Sequence, residues 1–435
     1  MQDEPTAPEE ATTTDDDQQD GAPMTVLRWV SPGPGQVTVL SGVPLVLGRD
    51  PACATQLDSS RVSRRHAEVT PVAGVYIVRD LDSKNGVFVN AERTQKAPLW
   101  TGDVLRIGDF IAVVETVSAH GLSGFRYLGG GVHGGAPMAG VLEQARALAG
   151  KKNGPSALLV GEPGTGKELV ARAIQRFSGR TGPFVVFDAT AWPESALDAE
   201  LFGEGETKGS GGHLRAAHEG TLLLEQVAML PPGTQERLLR VLERHEGLPG
   251  GKSELDVRLV ATLQTPLGEL PEGRLNAELR TRLEAAMIEL PPLRERRAEI
   301  VPLFLELFAR HARGTNAKPE PELLERLCLL DWPLNVRELD NVARRLLARH
   351  ASAPKITLGH LTEIVGLPVS GQDPGSNPEH AAPPRRSTPS YPPDEIALLK
   401  EAIERHHGNL TKAASELRIT RAKAYRMLEN TTPEG

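Results

Sequence analysis

The chain has 435 residues, 39% of them hydrophobic and 24% charged, with a formal net charge of −8. That length predicts two to four domains, each able to bury its own core, and the composition is that of an ordinary soluble protein. No apolar run reaches the length of a membrane span, and the acidic start is unlike a signal peptide. The two cysteines, Cys53 and Cys328, lack metal-type spacing and are expected to be reduced core residues in a cytoplasmic protein.

Residues 1–23 hold Asp3, Glu4, Glu9, Glu10, Asp15, Asp16, Asp17 and Asp20 and no Lys or Arg. This segment therefore carries the whole net charge, and its composition predicts a solvated, disordered tail. Phosphorylation of Thr6 or Thr12, Thr13 and Thr14 is the lesser alternative. Residues 24–118 show short apolar runs (T-V-L-R-W-V, V-Y-I-V, G-V-F-V) broken by Gly, Pro, Asp and Asn, which predicts an all-β sandwich. A Gly-rich joint, L-G-G-G-V-H-G-G-A-P, follows. Over residues 127–293 helical patterns alternate with A-L-L-V, F-V-V-F, T-L-L-L and V-R-L-V-A-T, which predicts an α/β domain on a parallel sheet. Residues 294–368 read as helical throughout, 369–393 as a Pro-rich linker, and 394–432 as a small all-α unit.

The β segment contains G-R-D at 48–50, S-R-R-H at 63–66 and D-S-K-N-G at 82–86. In order and spacing these resemble the forkhead-associated (FHA) domain. A phosphothreonine needs cationic and hydroxyl donors converging from loops on a rigid scaffold. The resemblance implies that Arg49, Ser63 and Arg64 hold the phosphate and that Asn85 contacts the peptide backbone. His66 and Gly86 read as architectural, one bracing a loop and the other taking a turn at positive φ. Lys84 stands where some members carry Thr and adds positive charge. The alternative is a sandwich kept as an inert interaction module.

G-E-P-G-T-G-K-E (Gly161, Glu162, Pro163, Gly164, Thr165, Gly166, Lys167, Glu168) follows the strand A-L-L-V and precedes the helical E-L-V-A-R-A-I. That context makes a phosphate-binding loop, with backbone N–H groups and a helix N-terminus facing the phosphates and Lys167 reaching toward the β and γ positions. Glu168 replaces the usual Ser or Thr. Together with A-E-L-F-G at 199–203, L-P-P-L-R-E-R at 290–296 and W-P-L-N-V-R-E-L at 332–339, it resembles the AAA+ domain of sigma-54-dependent transcriptional activators. The resemblance implies a P-loop α/β domain with a helical lid that binds ATP with Mg2+, assembles into rings and pushes a loop against sigma-54. Arg337 falls on the sensor arginine of the lid.

The departures from that pattern cluster around chemistry. The Asp-Glu pair that ends the family's second phosphate strand is Glu225-Gln226 here. Glu225 keeps a carboxylate for the magnesium shell, but the amide of Gln226 cannot accept a proton from water. Loss of one general base typically costs roughly 10² to 10⁴ in rate. The residue that positions that base is Asp188, and the sensor on the next strand is Gln264. Of two interface arginines one aligns with Asn276, and only Arg282 remains; an arginine finger is worth about 10³ to 10⁵. The sigma-contacting loop, at residues 204–214, has no aromatic residue. These losses predict ATP binding with slow or absent hydrolysis; Asp188 acting as a substitute base is the rival.

In the last forty residues N-L-T-K-A-A-S-E-L-R-I and T-R-A-K-A-Y-R-M-L resemble the Fis-type helix-turn-helix of the same regulators, with Thr411 and Thr420 as N-caps. Between residues 410 and 428 Lys412, Arg418, Arg421, Lys423 and Arg426 face one acid, Glu416, a net +4 that suits double-stranded DNA. Thr420, Arg421, Lys423, Tyr425 and Arg426 are the expected contacts, with Arg418 replacing the usual turn Gly. A dimerisation unit is the alternative.

Three functions follow. One is a phosphopeptide-gated, DNA-binding regulator in the bacterial cytoplasm and nucleoid that does not remodel sigma-54 holoenzyme. The second is an active sigma-54 activator ATPase, and the third a phosphothreonine-binding adaptor. The expected partners are a phosphothreonine protein, DNA, RNA polymerase holoenzyme and further copies of the chain, as a dimer or ring.

Overall fold

The computed structural model describes residues 23–33, 35–72, 74–150, 156–203, 211–244, 255–312, 316–366 and 393–406, and Ala413, Ala414, Glu416, Leu417, Ile419, Ala424 and Met427. The acidic tail, the segment 204–210, the Pro-rich linker and all five expected DNA contacts lie outside the described residues.

The N-terminal part is a sandwich of two sheets. Its strands are β1 (Met24–Ser31), β2 (Val37–Val39), β3 (Leu45–Gly48), β4 (Thr55–Gln56), β5 (Ala67–Val72), β6 (Val75–Asp80), β7 (Val87–Val89), β8 (Glu92–Thr94), β9 (Lys96–Leu99), β10 (Val104–Ile107) and β11 (Phe110–Val117). One sheet runs β2-β1-β11-β10-β7-β8 and the other β4-β3-β5-β6-β9. Alternate residues such as Leu27, Trp29, Leu47, Val69, Val78, Leu105 and Val114 fill the space between the sheets. Trp29 settles edge-on to Phe110 and donates its Nε1–H to Thr38 Oγ1 at 3.0 Å, so its one polar atom is satisfied in the core.

The Gly-rich joint is more than a linker. It folds into a hairpin of β12 (Arg126–Gly129) and β13 (Val132–Gly134), turning through Gly129, Gly130 and Gly131 at φ 96°, 63° and 91°. A Cβ on Gly130 would lie 2.5 Å from that of Ala173, so the turn seats directly on the helix below it.

The parallel sheet follows, in the order β15 (Phe184–Asp188), β16 (Thr221–Glu225), β17 (Arg258–Leu263), β14 (Ala157–Val160), β18 (Met287–Glu289). Strands covered on both faces read as continuous apolar runs, and all four residues of β14 are buried. The helices are α1 (Ala136–Ala149), α2 (Lys167–Ser178), α3 (Glu194–Phe202), α4 (Gly212–Ala216), α5 (Pro232–Arg244) and α6 (Ala277–Glu284). The phosphate loop joins β14 to α2.

The lid holds α7 (Ile300–His311), α8 (Pro321–Cys328), α9 (Asn335–His350) and α10 (Leu358–Val365). It is not helical throughout: β19 (Lys318–Pro319) pairs in parallel with β20 (Lys355–Ile356). Pro319 and Pro321 account for this, because the residue before a proline is pushed to extended backbone, and Glu320 sits at φ −80°, ψ 153°. Cys328 is buried in the lid core, where burial pushes its thiol up to about 12. Cys53 departs from the core expectation. It is half-buried in the loop after β3, held by a contact from Sγ to the Arg64 carbonyl.

The sandwich docks on the lid. Val30, Val104, Ile111 and Val113 share one apolar cluster with Ile300, Phe304, Leu323 and Leu324. Within it Arg106 Nε donates to Glu325 Oε2 at 2.6 Å, the two residues being 6% and 1% exposed, while Glu325 Oε1 accepts the Ala91 N–H at 2.9 Å. Removing one partner of a buried pair leaves an uncompensated charge and costs about 3 to 5 kcal/mol. Glu325→Ala is expected to lose about that much in urea denaturation of the full chain; a change below about 1 kcal/mol would contradict a buried pair here. In the C-terminal unit α11 (Pro393–Arg405) packs Leu399 and Ala402 with Ala413, Ala414, Ala424 and Met427, and Trp100 of the sandwich lies against this cluster.

Candidate functional site

Two pockets lined by cationic and hydroxyl or amide groups stand out among the described residues. The first lies where three loops of the sandwich meet. Arg49 N–H donates to Ser63 O and Asp50 N–H to Arg64 O, both at 3.0 Å, which zips the G-R-D loop to the S-R-R-H loop. The third loop is tied in by Lys84 N–H to Ser63 Oγ at 3.1 Å and Asn85 Nδ2 to Arg61 O at 2.6 Å. Arg49, Ser63, Arg64 and Asn85 therefore line one open pocket, with Arg61, Arg65 and Lys84 beside them.

His66 lies beneath this pocket and is fully buried. Its Nδ1 accepts the Ser63 N–H at 3.0 Å, leaving Nε2–H to donate to Gly86 O at 3.1 Å. Burial holds its pKa below the usual value, so the neutral ring bridges two of the loops. Gly86 takes φ 79°.

The second site is a cleft of about 510 Å³ between the parallel sheet and the lid. Pro163, Gly164, Thr165, Gly166, Lys167, Glu168, Asp188, Glu225, Gln226, Gln264 and Arg337 line it. Gly164 turns at φ 76°, and a Cβ there would fall 2.1 Å from Leu334 O, so the lid presses on the loop itself. Val336 N–H donates to Gly164 O at 3.1 Å and fixes that approach. Lys167 Nζ donates to Gly161 O and Glu162 O at 2.6 and 2.9 Å. Burial and the neighbouring Arg337 pull its ammonium down to about 8, against the opposing charges of Glu225 and Glu162.

Glu162 does not line the cleft. It pairs with Arg294 at 2.6 Å and accepts from Asn335 Nδ2 at 3.1 Å, and Arg294 holds its carboxyl below the usual range. Arg282 is also outside the cleft and donates to Leu242 O at 3.0 Å. Asn276 serves its own helix, where its Oδ1 accepts from Glu278 N–H and Leu279 N–H and caps α6.

At the reaction end of the cleft, Asp188 and Glu225 are neighbours across β15 and β16. Asp188 Oδ1 is turned back to its own loop, accepting from Thr190 N–H at 2.8 Å and Oγ1–H at 2.7 Å. Gln226 sits at φ 56°, a strained position for a non-glycine residue, held by its N–H bond to Thr262 Oγ1 at 3.1 Å. Burial raises the Glu225 carboxyl, and the charges of Asp188 and Glu168 raise it further. A cation there would relieve that crowding. Among the described residues no three side chains form a metal site by themselves, so a magnesium ion would need oxygen atoms of the nucleotide as well. When bound, that ion would neutralise phosphate charge, and Glu225 is a carboxylate that could help to hold it.

Sequence reasoning did not place the far end of the cleft. Val132 and Met138, from the hairpin and α1, and Leu303 and Leu307 of α7 also line the cleft and add apolar surface to it. Nor did it assign Arg296. This buried residue donates to Thr165 O at 3.0 Å and pairs with Glu299, whose Oε1 accepts the Gly135 N–H at 2.8 Å. Arg296 thereby ties the phosphate loop to the hairpin. Its motif, L-R-E-R, carried the signal.

Four family profiles match the chain: the sigma-54 interaction domain over residues 133–289, the FHA domain over 45–108, the AAA+ ATPase lid domain over 294–372, and the bacterial regulatory protein, Fis family, over 394–426. The pathogenicity locus probable regulatory protein HrpS of Pseudomonas savastanoi pv. phaseolicola is 34% identical over 289 residues, 63% of this chain and 89% of that one. The nitrogen assimilation regulatory protein NtrX of Azorhizobium caulinodans is 35% identical over 66% of this chain and 67% of its own. Among solved structures, NtrX from Brucella abortus matches with a TM-score of 0.50 at 28% identity, covering 69% of each chain.

Proposed function

The chain belongs to the sigma-54-dependent transcriptional regulators, with an FHA domain and a Fis-type helix-turn-helix, and from that premise we propose a DNA-binding regulator governed by phosphothreonine recognition. In this reading Arg49, Ser63 and Arg64 take the phosphate and Asn85 the peptide backbone. The AAA+ module binds ATP through the residue 161–168 loop and Arg337 and hydrolyses it slowly or not at all. It does not engage sigma-54 in the usual way. DNA is read by Thr420, Arg421, Lys423, Tyr425 and Arg426, in the bacterial cytoplasm at the nucleoid, by a dimer or a ring.

One observation carries this reading. Gly164, Gly166 and Lys167 line the cleft together with Gln226, whose amide accepts no proton from water, and this combination supports nucleotide binding without a general base. The engagement of Asp188 with Thr190 weighs against its serving as a substitute base. Among the described residues no helix is long and apolar enough to cross a membrane.

Genome-wide mapping of the DNA bound by the full chain tests the reading. Specific sites at promoters without sigma-54 elements are expected. Sites upstream of sigma-54 elements, with transcription driven from them by sigma-54 holoenzyme, would establish the activator ATPase instead. Absence of specific DNA binding would leave the adaptor.

A further inference from the structure

Arg61 stands in two places at once. It lines the pocket formed by Arg49, Ser63, Lys84 and Asn85. Its guanidinium, however, is committed elsewhere: one nitrogen to Asp109 Oδ1 at 3.0 Å and the other to Glu322 Oε1 at 3.1 Å, across 261 residues of chain. Glu322 lies in the first turn of lid helix α8. A pocket residue and a lid residue are therefore partners.

We propose that Arg61 couples the phosphopeptide pocket to the AAA+ lid, its guanidinium being shared between an incoming phosphate and Glu322. The coupling rests on the phosphopeptide reading given above, and three features of the contact support it. First, the competition is between charges of one sign. A phosphate of roughly −1.5 to −2 and the Glu322 carboxylate both call on the same fork of donors. Second, the contact can be exchanged. The Arg61 side chain is 44% exposed, whereas the Arg106–Glu325 pair beside it is buried and fixed. Glu322 also keeps a second partner, Arg106 at 3.3 Å, so releasing Arg61 does not strand it. Third, the peptide has another hold on the same residue. Asn85 Nδ2 is bonded to the Arg61 carbonyl, and a peptide backbone that takes this amide frees the Arg61 loop.

The lid end of the contact leads to the nucleotide cleft. Leu323, Leu324 and Leu327 of α8 pack in one cluster with Leu339, Val342 and Leu346 of α9. That helix carries Arg337 in the cleft, and its first turn donates to Gly164 O of the phosphate loop. Two sites that bias the same packed element influence each other reciprocally, commonly by about 5- to 150-fold in affinity. Nucleotide in the cleft and peptide in the pocket are then linked through α8 and Glu322.

The test is a titration of the full chain with a fluorescent phosphothreonine peptide chosen from a degenerate library, at low salt. It is run with and without magnesium and the β,γ-imido analogue of ATP. The wild type is expected to bind the peptide with an affinity that the nucleotide changes by about threefold, the scale of the pair that carries the effect. Glu322→Ala and the isosteric Glu322→Gln are expected to bind peptide roughly threefold more tightly, the scale of one exposed ion pair, and to lose the nucleotide effect. Arg61→Ala should weaken peptide binding and lose that effect. If both Glu322 variants bind as the wild type does, or keep the nucleotide effect, the coupling is overturned and the pocket stands. If the wild type binds no phosphorylated peptide, the phosphopeptide reading itself falls and takes the coupling with it.

Discussion

Charge reversal at Arg49 is expected to abolish binding of phosphothreonine peptides to the full chain, a loss of about 100-fold or more. A hydrogen bond to a charged group contributes about 1.5 to 3 kcal/mol, and Arg49→Glu replaces that attraction with repulsion of a dianion. The fold has little reason to suffer. The Arg49 backbone N–H supplies the bond to Ser63 O, and a glutamate keeps it. Among the described residues the Arg49 side chain makes no ion pair whose loss would confuse the result. Peptide anisotropy with the phosphorylated and unphosphorylated forms measures the effect. Unchanged affinity would mean that the phosphate is read elsewhere. Ser63 and Lys84 sharpen the expectation, since the hydroxyl of one accepts the N–H of the other and both loops must hold for the pocket to exist.

The parts of this fold that were legible in the sequence are those whose physics is local. The strands of the sandwich are short apolar runs broken by Gly, Pro, Asp and Asn, the inner strands of the parallel sheet are largely apolar, and the phosphate loop is a glycine-spaced motif between a strand and a helix. The docking of sandwich on lid is different. It depends on Arg106 meeting Glu325, 219 residues apart, and no periodicity pairs them. A trace was present, since Glu325 interrupts the apolar run L-L-E-R-L-C on the face that must be buried, and a buried carboxylate requires a partner. The Gly-rich joint left its own shape open for a related reason. Glycines permit a linker and a tight hairpin equally, and only the close seat of Gly130 on Ala173 decides between them. The cleft was half legible: its phosphate end is a motif, whereas its apolar end is assembled from Val132, Met138, Leu303 and Leu307 on separate elements.

The wild-type protein is expected to bind ATP and turn it over at least about 100-fold more slowly than a family member with an intact catalytic set, and Gln226→Glu alone is expected not to restore the rate. Gln226 sits at φ 56° with its N–H held by Thr262, so a glutamate there would inherit the right backbone and supply the missing carboxylate. That repairs one of several faults. The carboxylate of Asp188 is occupied by Thr190, and it adds negative charge beside Glu225. A new glutamate would crowd the same corner with one more carboxylate. The positions expected at a ring interface are independent of position 226: Asn276 is used as the cap of α6 and Arg282 is engaged with Leu242 O. Returning an arginine to position 276 would itself remove a cap worth about 1 kcal/mol. Phosphate release measured on the wild type and on Gln226→Glu, with nucleotide binding followed in parallel, decides the matter. Brisk hydrolysis by either protein would show that the cleft fires. Tight binding with negligible turnover in both would mean that the nucleotide serves to hold the lid against the phosphate loop.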